Sequence, residues 1–303
     1  MSFSNVAIIG LGLQGGSIGL AVQAYLPGVR TTGYDADPVT RIRARERGLV
    51  HEVCETATDA VKTCDLVIFC VPPSAMGAAA REAAPALPKD ALVSDVGSCK
   101  QSIAASLAEA LPGYTIIPAH PVAGTEHSGP DAGFASLFRN RWCIITPPEP
   151  TDLLKLSALV AFWETLGANV EIMDAEHHDL VLAVTSHLPH LIAYTIVGTA
   201  SDLENVTESE VIKYSAGGFR DFTRIAASDP TMWRDVFLAN REAVLTMLQR
   251  FTEDLTALQR AIRVGDDKTL FDHFTRTRAI RRSIIEEGQD DERPDFGRSD
   301  HEA

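Results

Sequence analysis

Residues 1–173 are expected to form an α/β domain on a parallel sheet, and residues 174–285 an all-helical domain. Three observations carry this. Short apolar runs alternate with helical stretches through the first half of the chain. Those runs are apolar almost without interruption, as strands covered on both faces must be. Beyond Asp174 the strand pattern stops and helical spacing takes over. At ~100–200 residues per domain, a chain of 303 residues suits two domains with cores of their own.

The first strand is Val6–Gly10, followed by a helix from about Gly15 to Ala24 and a short strand, Arg30–Asp35. A helix through Arg41–Arg45 leads to the strand Cys64–Pro72. An alanine-rich helix precedes Ala91–Val96, and then come strands Tyr114–Pro118 and Arg141–Thr146. The prolines of Pro147-Pro148-Glu149-Pro150 look like a boundary, but one more α–β pair follows, Leu153–Thr165 and Ala168–Met173, which moves the hinge to Asp174. In the second half Asp229-Pro230 has an N-cap acid followed by proline at the first helical position. From there Phe237, Val244, Leu248, Phe251, Leu255, Leu258 and Ile262 make one apolar stripe on a long helix, which packs within the domain or forms a dimer seam. From Glu286 to Ala303 there are eight acidic and two basic residues, the composition of a solvated, disordered tail.

Composition narrows the function. Hydrophobic content of 45% and charged content of 22% are those of a folded globular protein. A net charge of −14 opposes a general nucleic-acid role, because phosphate binding needs a surplus of Lys and Arg. No uninterrupted apolar run approaches the ~18–20 residues of a membrane span, and the N-terminus has no basic region of a signal peptide. Five cysteines, without CxxC or zinc-like spacing, read as buried free thiols in a reducing cytoplasm. No metal site is expected.

Gly10-Leu11-Gly12-Leu13-Gln14-Gly15 follows a strand and opens a helix. Gly10 permits the tight turn, Gly12 lets a pyrophosphate approach the backbone, and Gly15 allows close helix–strand packing. The helix N-terminus then offers free N–H groups. Asp35 ends the next strand, where a carboxylate can accept hydrogen bonds from the adenosine ribose. It would repel a 2′-phosphate, so NAD is expected over NADP; Arg41 and Arg43 read as helix-surface charges. Together these predict a Rossmann-type domain. At the carboxyl edge of the same sheet, after the sixth strand, lies His120-Pro-Val-Ala-Gly-Thr125-Glu126. A histidine there can take a hydroxyl proton while hydride leaves the same carbon. Ser98, one strand earlier, can hold that histidine in its tautomer or bond the same hydroxyl. His177 and His178 read as surface residues near the hinge.

The segments Gly10–Ser17, Asp95–Lys100 and His120–Glu126, with Thr185-Ser186-His187-Leu188-Pro189-His190 and Gly217–Ala226, resemble the prephenate/arogenate dehydrogenase family of tyrosine biosynthesis over about Asn5–Ile285. The resemblance implies oxidation of a cyclohexadienol, with hydride passing to NAD and the ring carboxylate leaving as CO2. It makes His120 the catalytic acceptor, Ser98 its partner, and Arg224 the substrate-carboxylate arginine, whose plain alternative is an ion pair with Asp221 or Asp235. Ser186 and His190, four apart on one helix face, would meet the substrate side chain, and Pro189 between them should disturb the helix. Arg220, Thr125, Glu126, Gly217 and Trp233 complete the expected substrate site. Gly10, Gly12, Leu13, Gln14, Gly15, Asp35, Val71 and Pro72 make up the cofactor site.

Gln14 stands where an apolar residue is usual, and would reach the pyrophosphate or face solvent; Arg220 stands where lysine is frequent. A homodimer through the helical domain is implied, and no chorismate mutase segment or regulatory domain is expected. Rival readings are a dehydrogenase for an analogue such as 4-amino-4-deoxyprephenate, a β-hydroxyacid dehydrogenase, and an NAD- or prephenate-sensing protein without turnover. A β-hydroxyacid dehydrogenase would be expected to use a lysine of the helical domain, where this chain has Ser186 and His190. The sensor reading predicts a missing acceptor or carboxylate clamp, whereas His120, Ser98 and Arg224 are present.

Overall fold

The computed structural model describes residues 3–125, 127–207 and 217–286. The chain begins β1 (Asn5–Ile9), α1 (Leu13–Tyr25), β2 (Arg30–Tyr34), α2 (Pro38–Glu46), β3 (Glu52–Val53), α3 (Ala57–Val61), β4 (Leu66–Phe69), α4 (Met76–Ala83), β5 (Leu92–Asp95), α5 (Lys100–Ala110) and β6 (Thr115–Ile116). These strands form one parallel sheet of six in the order β3-β2-β1-β4-β5-β6. The order reverses between β1 and β4, which opens the ligand crevice of such sheets at the carboxyl end of β1. In register, Ile9 faces both Tyr34 and Phe69, so the strand ends carrying the glycine turn and Asp35 lie level. Alternate residues of β1 enter opposite cores: Val6 and Ile8 pack on one face, Ala7 and Ile9 on the other. That two-sided burial explains the unbroken apolar runs. The two-residue strand β3 was too short to register as a pattern.

The last strands depart from the expected single sheet. β7 (Ala119–Pro121), β8 (Trp142–Ile145) and β9 (Asn169–Ile172) make a separate three-stranded sheet, with β7 antiparallel and β9 parallel to β8. Ile117 N–H still bonds the Val93 carbonyl at 2.9 Å, but Pro118 has no N–H to continue the ladder. The Pro118 carbonyl accepts instead from Thr146 at 2.9 Å, which starts the second sheet. His120 therefore lies inside a strand, opposite Ile144, rather than in a loop. Between β8 and β9 runs α6 (Leu153–Thr165), N-capped by Asp152.

The remainder is helical. α7 (Ala175–Leu182) runs through a π-turn, Ala183–His187, into α8 (Leu188–Thr207). Pro189 cannot donate to the carbonyl of Thr185, and the widened turn falls where that bond is missing. α9 (Gly217–Thr223) and a 3-10 turn (Arg224–Ala227) precede α10 (Pro230–Ala239), α11 (Arg241–Val264) and α12 (Asp267–Glu286). Asp229 caps α10 by accepting from Met232 N–H at 2.9 Å.

The expected single long helix breaks at Asn240. This residue is buried, and its amide donates to the Asp179 carbonyl at 2.7 Å and to His187 Nδ1 at 3.1 Å. Along the stripe Val244 is buried, whereas Leu255 and Ile262 are exposed by 53% and 66%.

Compactness divides the chain differently from the change of pattern at Asp174. One unit comprises Met1–Tyr194 with Ile225–Val244, the other Thr195–Arg224 with Leu245–Ala303. α7 belongs with the sheet because Asp179 caps α5, its carboxylate accepting from Lys100 N–H at 2.7 Å and Gln101 N–H at 3.0 Å. The stretch Ala175–Asp202 has the length and hydropathy of a membrane span. Its buried His178, Asp179 and His187 are nonetheless bonded to polar groups of the first unit, as a packed core helix requires. The acidic stretch beyond Glu286 lies outside the described residues.

Candidate functional site

The glycine turn leaves room where a dinucleotide would need it. Gly10 sits at φ +100°, and a Cβ there would collide with the Cys70 carbonyl; one on Gly15 would collide with the carbonyl of Gly10. Gly12 differs. Its φ of −78° suits any residue, and a Cβ there would meet nothing within 4 Å. α1 begins directly after Gly12, and its first-turn N–H groups have no intrahelical partners. Asp35 ends β2 with its carboxylate fixed: one oxygen accepts from Leu11 N–H at 2.8 Å, the other from Asp37 N–H at 2.9 Å. The cradle and its acid thus fit a dinucleotide. Val71 and Pro72 follow β4 beside Gly10.

Two side chains differ from expectation. Gln14 neither faces solvent nor reaches outward, since its amide donates to the Ala123 carbonyl and ties α1 to the segment after His120. Arg41 is no free surface charge: its guanidinium donates to the Asp35 carbonyl at 2.8 Å, pairs with Glu55 at 3.3 Å and lies over Tyr34. Arg43 pairs with Asp131 and Glu46 on the surface, as expected of it.

His120 is buried, and three elements converge on it. Its Nδ1 lies 2.9 Å from His178 Nε2 of α7, and His178 Nδ1 lies 2.9 Å from Asp179 Oδ1. Lys100, wholly buried at the start of α5, pairs with Asp95 at 2.5 Å and donates to the Ala119 carbonyl at 2.6 Å, which fixes the strand bearing His120. Burial holds His120 well below the ordinary histidine value, with the charges of His178, Lys100 and His187 adding to the effect. His178 is lowered mainly by burial, and His187 falls to about 4 for the same reason. Burial would raise Asp179, yet the bonds from His178, Gln101 and Lys100 hold it below the ordinary carboxylate value. The result is a neutral imidazole beside an ionised, fully bonded carboxylate.

His178 corrects the surface reading of the pair His177-His178: His177 is exposed, but His178 is wholly buried. Ser98 is also placed differently. Its hydroxyl lies 4.0 Å from Cys99 Sγ, and His178, not Ser98, is the partner of His120 Nδ1. The sequence signal for Lys100 and His178 was slight, since neither sits in a spacing pattern that separates it from a surface residue.

A second cluster joins residues the sequence did single out. His190 stacks on Trp233 with ring centroids 3.6 Å apart and planes at 23°, and Phe237 packs on the same indole. His190 Nδ1 donates to the Ser186 carbonyl at 2.8 Å across the π-turn. Thr125 closes a surface turn by accepting from His127 N–H at 3.2 Å. Glu126 lies outside the described residues. Gly217 and Arg220 belong to α9, and exposed Arg224 begins the following turn; all three are in the second compact unit. Asp235 pairs with Arg234 at 2.7 Å and accepts from Ser74. The cysteines are unpaired, and burial pushes the thiols of Cys64 and Cys99 up to about 12, which makes them inert.

Comparison with known proteins places this geometry in a family. Residues 18–172 match the nucleotide-binding domain of prephenate dehydrogenase, and residues 174–276 match its dimerization domain. A cyclohexadienyl dehydrogenase of Zymomonas mobilis is 45% identical over 282 residues, covering 93% of this chain and 96% of its own length. A prephenate dehydrogenase of Bacillus subtilis is 33% identical over 271 residues, 89% of this chain and 73% of its own. Among solved structures, prephenate dehydrogenase from Aquifex aeolicus in complex with hydroxyphenyl propionate and NAD+ superposes with a TM-score of 0.87 at 33% identity, covering 94% of this chain and 99% of its own.

Proposed function

The chain belongs to the prephenate dehydrogenase family, and from that premise we propose that it oxidatively decarboxylates prephenate to 4-hydroxyphenylpyruvate with NAD, and arogenate to tyrosine in the same pocket. The observation that carries the mechanism is the neutral, buried imidazole of His120 on β7, the strand that follows the last strand of the dinucleotide-binding sheet. The Gly10–Gly15 turn would hold NAD, with Asp35 accepting from its ribose, and NAD would supply the hydride acceptor. A neutral histidine can take the proton of the ring hydroxyl as hydride leaves the same carbon, whereas an imidazolium could not. Loss of the ring carboxylate as CO2 then makes the ring aromatic, and the oxygen regains its proton. Burial excludes water from the transfer.

Ser98 follows β5 and would bond the hydroxyl beside His120. Arg224 would grip a carboxylate bidentately, with Arg220, Gly217, Thr125 and Glu126 completing that end. Ser186, His190 and Trp233 would receive the side chain, the stacked ring pair forming a rigid wall. Leu13, Val71 and Pro72 would line the cofactor, and Gln14 would hold the turn through its bond to Ala123. The partly uncovered stripe on α11, with Phe271 and Phe274 of α12 exposed by 71% and 55%, supports a homodimer formed through residues 174–285. Unpaired, unreactive cysteines suit the cytoplasm.

Absorbance at 340 nm with NAD and, in parallel, prephenate or arogenate tests the assignment. Turnover of both is expected. Turnover of prephenate alone would remove the arogenate part, and silence with both would return the substrate to an analogue such as 4-amino-4-deoxyprephenate.

A further inference from the structure

We propose that His178 and Asp179 are positioning residues for the reaction: they set His120 in the tautomer that leaves Nε2 bare, and they share the proton it takes. This rests on the reading of His120 as the acceptor. Asp179 is where the deduction begins. Its carboxylate already accepts two main-chain N–H groups, from Lys100 and Gln101, and the side chain is 2% exposed. An ionised carboxylate only accepts, so the 2.9 Å contact with His178 Nδ1 requires the proton on that nitrogen. A neutral His178 then presents a lone pair at Nε2. The 2.9 Å contact to His120 Nδ1 is therefore filled by the proton of His120, and His120 Nε2 keeps its lone pair. Each bond dictates the next, from a helix cap to the nitrogen that meets substrate.

The same chain accounts for the charge. When the hydroxyl O–H breaks and its proton binds His120 Nε2, a cation forms in a buried place that already holds the Lys100 ammonium, with His187 beyond it. The groups facing the pair from neighbouring elements are Lys100 of α5, Asp95 of β5, His187 of the π-turn and Asp179 itself. Transfer of the Nδ1 proton of His120 to His178 Nε2 moves the positive charge next to the Asp179 carboxylate. Both transfers reverse when the product oxygen takes its proton back, so the protein ends as it began and no proton is lost to solvent. Asp179 is in turn held by Asn240, whose amide bonds its carbonyl at 2.7 Å.

The test compares His178→Leu, His178→Gln and Asp179→Asn with His120→Asn in the full-length protein, reading kcat, substrate KM and the Kd for NAD. Imidazole 15N spectra of the wild type and Asp179→Asn give the tautomers directly. The expected spectrum of the wild type has His120 protonated at Nδ1. The Asp179→Asn amide can donate to His178 Nδ1, which reverses the chain, so His120 should carry its proton on Nε2. Losses in kcat of about 100-fold or more are expected for His178→Leu and Asp179→Asn, with KM and Kd within about threefold. His178→Gln should lose less, since its amide oxygen still accepts from Nδ1. A wild-type spectrum with His120 protonated at Nε2 overturns the proposal even if no variant folds. Normal kcat in a folded His178→Leu, with His120→Asn inactive, overturns the proposal and leaves the acceptor reading standing; activity in His120→Asn overturns that reading itself.

Discussion

At the turn after β1 the protein leaves room, whereas His120 is buried and closely partnered. A side chain on Gly12 would meet no protein atom within 4 Å. His120, 8% exposed, has His178, Lys100 and His187 close enough to shift its protonation. The two regions serve different needs. A cofactor that enters and leaves requires backbone N–H groups facing open space, and a proton acceptor, the role proposed for His120, stays neutral in a dry surrounding that pairs its other nitrogen. A change at the first should affect binding more than folding, and a change at the second should couple activity to stability.

Gly15 breaks that division and gives the largest effect. It lies in the cofactor turn, yet its α-hydrogen faces the Gly10 carbonyl, so Gly15→Ala should destabilise the fold by at least ~3 kcal/mol, seen in urea unfolding. Next comes acid. His120, His178 and His187 are all held below their ordinary values by burial, so each is a group whose folded state resists protonation. Their contribution is complete above about pH 6.5 and is lost as pH falls through the folded values. For His187, lowered from 6.5 to about 4, the loss over that interval is roughly 3 kcal/mol. Unfolding free energy should therefore decline from pH 6.5 to 4, and His187→Asn should flatten the decline. A pH-independent stability across that range would contradict the buried, neutral cluster. The smallest effect sharpens the contrast: Gly12→Ala should leave stability within ~1 kcal/mol but weaken NAD binding about tenfold, measured by calorimetry.

The same contrast explains how much could be read from the sequence. The glycine turn and Asp35 were legible because their geometry is local: a strand, a turn and a helix in succession, with the acid one strand later. The parallel sheet was legible from two-sided burial of residues such as Val6 and Ala7. His120, the acceptor proposed above, was singled out through its place after the last strand of the sheet, but its surroundings were not legible. His178 is 58 residues away, and its neighbours along the chain, Glu176 and His177, look like those of any exposed turn of helix. Only the meeting of α7 with α5, through Asp179, brings it inside. The breaks at Pro118 and Asn240 have the same origin. Each is set by where a hydrogen bond can or cannot go in three dimensions, which spacing along the chain does not record. Gln14 showed as an oddity in the motif, and its partner Ala123 lies 109 residues on.

The most direct measurement is kcat/KM for prephenate together with the Kd for NAD in His120→Asn. The account predicts unchanged NAD binding, since the glycine turn is untouched, and a kcat lower by roughly 100- to 10,000-fold. Turnover near the wild-type rate in a folded His120→Asn protein would contradict the claim that this imidazole takes the hydroxyl proton.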